Sequence, residues 1–203
     1  RVPDPPPPPP PPSWVSASDG TYYDKVHVTW EDVVASEQVY YEVWRSTSAN
    51  VESAALIADA EDVNDPPFGD PSYDDDASVP GTVYYYWIKS KHWGGTSGFS
   101  SSDSGYRQVS PPSAPTGVSA SDGTYSDRVR VTWNSASGAI SYEIWRYTSN
   151  SSGSASKIGD PSSSPYDDTT AVAGTTYYYW VKAKNAGGTS GFSSSDSGYR
   201  RVP

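Results

Sequence analysis

The chain has no cysteine, no methionine and a single leucine, Leu56. Without cysteine it can form neither disulfides nor thiolate metal sites. Few strong helix formers remain, whereas tyrosine (17) and tryptophan (8) are common among the 203 residues. Because β-branched and aromatic residues suit half-buried strands, this composition predicts an all-β protein.

Positive charge is also scarce, and the net charge is −10. Such a balance argues against binding to nucleic acid or to an anionic membrane. Residues 1–110 carry 17 acidic against 6 basic residues, whereas residues 111–203 carry 7 against 8. No apolar run approaches the roughly 20 residues of a membrane span. The chain starts at Arg1 without a methionine, so we expect a mature form or part of a longer protein.

Most of the sequence consists of two similar repeats. Residues 15–22 and 118–125 both read VSASDGTY, and residues 94–107 and 187–200 both read GGTSGFSSSDSGYR. Each copy is about 90 residues long, and the first has about ten extra residues in polar stretches. Insertions of this kind predict loop differences on one shared scaffold.

Alternating apolar residues mark strands in both copies. Every second residue is apolar in VHVTW (26–30) and in VRVTW (129–133), and YYYWIKSK (84–91) matches YYYWVKAK (177–184). Glycine pairs at 94–95 and 187–188 supply turns after the longer segments. About seven short strands per copy, separated by turns, predict a β-sandwich.

Several positions in the second copy together resemble a fibronectin type III domain: Trp133, Tyr142-x-Ile144 and the segment GTTYYYWVKAKN at 174–185. The first copy matches at Trp30, Tyr41-x-Val43 and residues 81–88, but it has Ser90 and His92 in place of Ala183 and Asn185. The resemblance covers about residues 14–108 and 114–201. It implies two tandem immunoglobulin-like sandwiches, and it says little about function, because this fold is a general spacer and binding scaffold.

A proline segment precedes the first copy. Such a run cannot join a helix or a central strand, so it predicts an extended polyproline II rod. We therefore divide the chain into a polyproline lead (1–13), a first domain (14–109), a Pro-rich linker (110–116) and a second domain (117–203). The unbroken run consists of Pro5, Pro6, Pro7, Pro8, Pro9, Pro10, Pro11 and Pro12.

Catalytic patterns are missing from the sequence. The two histidines, His27 and His92, correspond to Arg130 and Asn185 in the second copy, so we interpret them as solvent-facing polar residues. No cysteine nucleophile and no phosphate-binding glycine loop is present. We expect a protein that is not an enzyme and needs no cofactor, with a cryptic hydrolase as a third alternative.

Carboxylates crowd one stretch of the first copy, where clustered oxygen ligands could suit calcium. Their spacing does not match an EF-hand loop, so a solvated acidic loop is the main interpretation and a calcium site at Asp74, Asp75 and Asp76 is the alternative. Asp75 corresponds to Asp168, which favours a turn role in which the carboxylate accepts backbone N–H groups. The stretch contains Asp59, Glu61, Asp62, Asp65, Asp70, Asp74, Asp75 and Asp76.

Alternation along the longest predicted strand turns Tyr84, Tyr86 and Ile88 toward the core and their neighbours outward. Two interpretations of the resulting outer strip are open. It is either a cross-strand ladder of aromatic and basic residues that adds only stability, or an interface for sugars, proline-rich segments or another copy. The strip comprises Trp44, Tyr85 and Trp87 in the first copy and Trp145, Tyr178 and Trp180 in the second.

The leading hypothesis is an extracellular or cell-surface structural protein that self-associates head to tail into a filament, with the proline rod of one subunit lying on the next. The triplet RVP at both 1–3 and 201–203 suggests one period of an array. The alternative is a carbohydrate- or protein-binding accessory module of a larger surface protein or secreted enzyme. Asn150-Ser151-Ser152 is a candidate N-glycosylation site, which makes glycans further candidate partners.

Overall fold

The computed structural model describes residues 4–35, 38–59 and 70–203. The chain separates into two compact units, residues 1–109 and 110–203, and each is all-β, as the composition predicted. The RVP triplet at 1–3 and the acidic residues Glu61, Asp62 and Asp65 lie outside the described residues.

The first domain is a sandwich of two antiparallel sheets. One sheet has the order β1-β2-β5, and the other has the order β4-β3-β6-β7, with β8 also paired to β6. A single 3-10 turn, Val51–Ser53, leads into β4. The strands in its described residues are β1 (Val15–Ala17), β2 (Val26–Trp30), β3 (Tyr40–Ser46), β4 (Ala55–Ala58), β5 (Ser72–Asp75), β6 (Tyr84–His92), β7 (Gly95–Thr96) and β8 (Asp103–Gly105).

The second domain repeats this arrangement. Its sheets have the orders β13-β10-β9 and β12-β11-β14-β15, with β16 paired to β14. A 3-10 turn at Ser152–Ser154 again precedes the edge strand. Its strands are β9 (Thr116–Ala120), β10 (Val129–Asn134), β11 (Ser141–Tyr147), β12 (Ser156–Gly159), β13 (Tyr166–Asp168), β14 (Tyr177–Asn185), β15 (Gly188–Thr189) and β16 (Asp196–Gly198).

The core of each domain lies between its two sheets. The alternating residues Val26, Val28 and Trp30 of β2 are fully buried, and Trp30 packs edge to face on Tyr41 with ring centroids 5.5 Å apart. Tyr86 and Ile88 are also fully buried, which confirms the predicted inward face of β6. Each such side chain contributes about 1.5–3 kcal/mol through burial, so the apolar alternation is sufficient to select these faces.

The identical 14-residue segment ties each sandwich together. In the first domain the Asp103 carboxylate accepts a hydrogen bond of 2.9 Å from Ala17 N, and Arg107 Nη1 donates to Asp24 O at 2.7 Å. The Tyr106 ring lies over Gly20. Glycine suits this position for two reasons: its backbone φ is +63°, and a Cβ there would come within 2.9 Å of the ring. Every one of these contacts reaches a distant part of the domain, which explains why the segment is the same in both copies.

Candidate functional site

The outer face of the larger sheet carries the predicted aromatic strip. Trp44 and Trp87 lie directly opposite each other on β3 and β6. The Phe99 ring meets the Trp44 ring edge to face at 5.3 Å, and Lys89 Nζ lies 4.1 Å from the centre of the Phe99 ring. The face is therefore a layer of aromatic rings, Trp44 and Phe99 in edge-to-face contact, with a cation over the Phe99 ring.

The second domain repeats this layer with Trp145 opposite Trp180 and Phe192 against Trp145 at 5.4 Å. Trp87 and Trp180 are each only 4% exposed, and Trp44, Tyr85, Trp145 and Tyr178 are half-buried. The prediction of an exposed strip is therefore wrong for Trp87 and Trp180. The observed contacts fit a cross-strand ladder.

Sequence reasoning missed the segments that cover the strip, residues 97–100 and 190–193. Ser97 Oγ accepts a hydrogen bond from Ser90 N at 3.0 Å, and Ser100 Oγ accepts one from Ile88 N at 2.9 Å. These hydroxyls stand in for carbonyl oxygens of a neighbouring strand. They hold the backbone beside β6 while Phe99 reaches back over the sheet. The available signal was the phenylalanine inside the serine-rich segment that is identical in the two copies.

A buried ion pair crosses between the sheets of each domain. Arg45 Nη1 donates to both oxygens of Asp75, at 2.8 and 2.6 Å, and the Tyr86 hydroxyl donates to the same carboxylate at 2.8 Å. Burial, together with the Asp75 charge, raises the pKa of Tyr86. This carboxylate is 1% exposed, so its role is an anchor in the core rather than the predicted turn residue.

In the second domain, Asp168 accepts from Arg146 at 2.5 Å and from Tyr179 at 2.9 Å, and it also accepts from Thr170 N at 2.9 Å. Burial opposes its ionisation, but the hydrogen bonds from Thr170 and Arg146 outweigh burial and lower the pKa of Asp168. The predicted turn role is thus present at Asp168, combined with a buried ion pair.

The alternative calcium site does not form a ligand cluster. Asp74 lies 2.6 Å from both Lys25 Nζ and His27 Nδ1, and Asp75 is occupied by Arg45. Basic side chains therefore already neutralise two of the three carboxylates, including Asp74 on the outer side of β5. Within the described ranges, no group of three or more His, Asp or Glu side chains is placed to hold a metal ion.

The two histidines have separate structural roles. His27 is half-buried and pairs with Asp74. His92 is buried, and its Nδ1 accepts a hydrogen bond of 2.9 Å from Gly94 N, so the prediction that it faces solvent is wrong. In the second domain, Asn185 Oδ1 accepts from Gly187 N at 2.8 Å in the same way. Both side chains fix the turn that follows the longest strand.

The proline segment lies on its own domain. Ser90 Oγ donates to the Pro10 carbonyl oxygen, Pro9 and Pro12 are buried, and a Cβ on Gly94 would collide with Pro6 O. The contacts that the filament hypothesis assigned to a neighbouring subunit are thus made within the same domain. Self-association through another surface stays a prediction.

The linker makes equivalent contacts with the second domain. Pro112 and Pro115, which correspond to Pro9 and Pro12, are buried, and Asn185 Nδ2 donates to Ser110 O at 2.9 Å. The division into compact units accordingly falls between Val109 and Ser110. Lead and linker are each part of the domain that follows them.

Several exposed aromatic residues were not singled out by the sequence, and three of them belong to the same end of the first domain. Trp93 is 60% exposed, Tyr40 is 46% exposed and Trp14 is 38% exposed. Their signal was available in the alignment of the two copies, because the second copy has no aromatic residue at any of these positions. The corresponding residues are Ala186, Ser141 and Gly117.

The remaining candidate sites are small or superficial. Asn150 is exposed, and its Oδ1 accepts from Ser195 Oγ at 2.8 Å, so the glycosylation site stays a prediction. A groove of about 170 Å³ lies beside β4, lined by Leu56 to Asp59, which is below the ~300 Å³ of most small-molecule sites. In the part of the chain that the structure describes, no helix is long and apolar enough to cross a membrane.

The sequence model of the fibronectin type III domain matches residues 113–197. A poly(3-hydroxybutyrate) depolymerase of Ralstonia pickettii is 35% identical over 106 residues, which cover 52% of this chain but only 18% of the depolymerase.

Two solved structures are also similar. The chicken CNTN1 FN1–FN3 domains are 21% identical with a TM-score of 0.44, covering 96% of this chain and 69% of that chain. An Fn3-like protein from Clostridium thermocellum is 35% identical with a TM-score of 0.41, covering 46% of this chain and 99% of that chain.

The matched region is the second sandwich, and the first sandwich has the same strand order, the same opposed tryptophans and the same buried ion pair. The protein therefore carries two fibronectin type III domains in tandem.

Proposed function

We propose that this tandem is a non-catalytic accessory module of a larger secreted enzyme that degrades a solid polymer. The observation that carries the proposal is the similarity to the depolymerase. About half of this chain matches less than a fifth of that longer enzyme. Fibronectin type III domains are typical of extracellular proteins, which supports the extracellular location.

The side chains of the two domains support a non-catalytic role. The most buried carboxylates, Asp75 and Asp168, are held by arginine and tyrosine, and the two histidines fix a turn and an ion pair. General acid–base catalysis needs a group within reach of a substrate proton, and these groups are already engaged in holding the fold.

The proline segment supports a role as a stiff lead into the first domain. Polyproline II has about three residues per turn, so residues three apart lie on one edge of the rod. Pro9 and Pro12 are buried, and Pro6 is half-buried, whereas the prolines between them are exposed. We therefore infer a polyproline II rod that lies with one edge on the first domain, which would limit bending where the module meets a preceding segment.

Fusion of the tandem to the catalytic domain of a poly(3-hydroxybutyrate) depolymerase tests this function. We expect the fusion to hydrolyse suspended polymer several-fold faster than the catalytic domain alone, because binding raises the local enzyme concentration at the solid. Both proteins should hydrolyse a soluble ester such as p-nitrophenyl butyrate at the same rate.

Equal rates on the suspended polymer would contradict the accessory role. The tandem by itself should release no 3-hydroxybutyrate from the polymer. Release that depends on one of its own residues would instead establish an enzyme.

A further inference from the structure

Three of the exposed aromatic residues of the first domain, Trp14, Tyr40 and Trp93, lie at one end of its sandwich. Val15 pairs with Trp30 at the end of β2, and Trp14 O accepts a hydrogen bond of 3.3 Å from Glu31 N. Trp14 is therefore placed where β2 finishes. The next strand along the chain, β3, begins at Tyr40.

Trp93 belongs to the same end. Tyr40 lies opposite Lys91 in the larger sheet, and Trp93 is the first residue after β6. The hydrogen bond from Gly94 N to His92 Nδ1 holds this turn, so the exposed indole is presented on a fixed backbone. A rigid aromatic side chain loses little conformational entropy on binding.

The proline segment extends this apolar surface. A Cβ on Gly94 would meet Pro6 O, and a Cβ on Gly95 would meet Pro8 Cγ, so the prolines run directly beside the turn that carries Trp93. We call this surface the proline–aromatic end. It consists of Trp14, Tyr40, Trp93 and the exposed prolines Pro5, Pro7, Pro8, Pro10 and Pro11.

The second domain shows that the fold does not require this surface. Its proline contacts are kept at the buried positions, but Ser110, Ser113 and Ala114 replace the exposed Pro7, Pro10 and Pro11. Gly117, Ser141 and Ala186 replace the three aromatic residues, which leaves exposed Ile140 as the large apolar residue at that end. Since the same scaffold folds without them, the apolar residues of the first domain need another explanation.

The side chains at this end offer neutral hydrogen-bond donors, and the charge of Lys91 is paired. Trp93 and Trp14 carry indole N–H groups and Tyr40 a hydroxyl, whereas Lys91 Nζ lies 3.4 Å from Glu42 Oε1. Two neighbouring carboxylates among the described residues are already hydrogen-bonded: Glu31 accepts from Ser13 N at 2.7 Å, and Asp32 accepts from the Tyr41 hydroxyl at 2.7 Å. An uncharged partner that offers apolar groups together with hydrogen-bond acceptors for the indole and hydroxyl groups would fit such a surface.

We propose that the proline–aromatic end binds the surface of an aliphatic polyester such as poly(3-hydroxybutyrate), whose chain offers methyl groups and ester carbonyl acceptors. This inference rests on the proposed function and locates its polymer contact in the first domain. A polysaccharide also offers flat apolar faces, and the test below distinguishes it from the polyester.

The test measures adsorption of the intact 203-residue protein to poly(3-hydroxybutyrate) granules by depletion from solution. We expect the double variant Trp93→Ala with Tyr40→Ser to reduce the partition constant by about tenfold or more, as for loss of two aromatic anchors. Both replacements are the residues that the second domain carries at these positions.

The matched control is Tyr23→Ser. Tyr23 is an exposed aromatic residue of the first domain that precedes β2 and so lies at the other end of the sandwich, and its counterpart is Ser126. Its adsorption should equal that of the unaltered chain. Thermal melts of all three proteins check that the domains stay folded.

The inference is overturned if the double variant adsorbs as well as the unaltered chain, or if the chain prefers cellulose or chitin to the polyester. This result is separable from the function test. Enhanced hydrolysis by the fusion together with full adsorption of the double variant would reject this surface and leave the accessory role standing. Adsorption that depends on Trp93, without enhanced hydrolysis by the fusion, would support this binding surface and reject the accessory role.

Discussion

The two domains share most of the side chains that they bury and differ more in those that they expose. Arg45 pairs with Asp75 in the first domain as Arg146 pairs with Asp168 in the second. In contrast, Trp93 is replaced by Ala186 at an exposed turn. A buried side chain must fit many neighbours at once, whereas an exposed one is free to change. The differences between the copies are therefore the better guide to function.

The sheet edges illustrate the same point. Edge strand β12 carries Lys157, which pairs with Asp160 at 2.9 Å. The corresponding β4 consists of Ala55, Leu56, Ile57 and Ala58, with Leu56 exposed. Charged residues on an edge strand discourage pairing with other chains. The first domain thus lacks a protection that the second has, in addition to carrying more exposed aromatic surface.

The largest expected effect tests what the domains share. Asp75→Asn and Asp168→Asn should each lower the free energy of unfolding of their own domain by up to about 3–5 kcal/mol, because each leaves a half-buried arginine without its charge partner. Urea unfolding measures the total loss of unfolding free energy, and hydrogen exchange of peptides from each domain shows which domain is destabilised. A loss below about 1 kcal/mol would show that the ion pair is replaceable.

The serine hydroxyls that pair with β6 and β14 give a smaller effect. Ser100→Ala and Ser193→Ala each remove the acceptor of a buried backbone N–H, from Ile88 and Val181. We expect a loss of about 1–3 kcal/mol in either domain, measured by thermal unfolding. A Ser101→Ala variant is the control, because this neighbouring residue is exposed. Clearly unequal losses in the two domains would break the equivalence of the repeated segments.

Acid should reveal the lowered carboxylate pKa values. Hydrogen bonds from Arg130 lower the pKa of Asp167 in the folded state, and those from Thr170 and Arg146 lower the pKa of Asp168 against the effect of burial. A lowered folded-state pKa stabilises the domain above the unfolded pKa of about 4, and this stability is lost as the pH falls through the folded pKa.

The unfolding free energy of the second domain should therefore fall below about pH 4, and Asp168→Asn should flatten that dependence. Measurement of urea midpoints from pH 6 to acid pH checks this. An unchanged pH slope in the variant would mean that other carboxylates control acid unfolding.

The smallest expected loss of stability comes from a single residue that differs between the two copies. Ser90→Ala removes the hydroxyl that donates to Pro10 O and reproduces Ala183 of the second domain. We expect a loss of about 0.5–1.5 kcal/mol in the first domain and none in the second. Proteolysis near the proline segment provides an independent measurement, since a released lead should be cleaved faster.

Most of the fold could be predicted from the sequence, because strands that bury one face show period-two alternation. Val26, Val28 and Trp30 are an example, and so are Tyr84, Tyr86 and Ile88. The exposure of Trp87 could not be predicted in this way. Alternation indicates which face of a sheet a residue occupies, but it does not show that another segment, with Phe99, returns to cover that face.

By itself, the sequence determined two copies of an all-β sandwich, their strands and the inward residues, since repetition and alternation are local properties of the chain. The tertiary structure alone decided the rest. It placed the proline segment on its own domain, joined Asp75 to Arg45 and gathered Trp14, Tyr40 and Trp93 at one end. These relations join residues far apart in the chain, and only the closing of the two sheets brings such residues together.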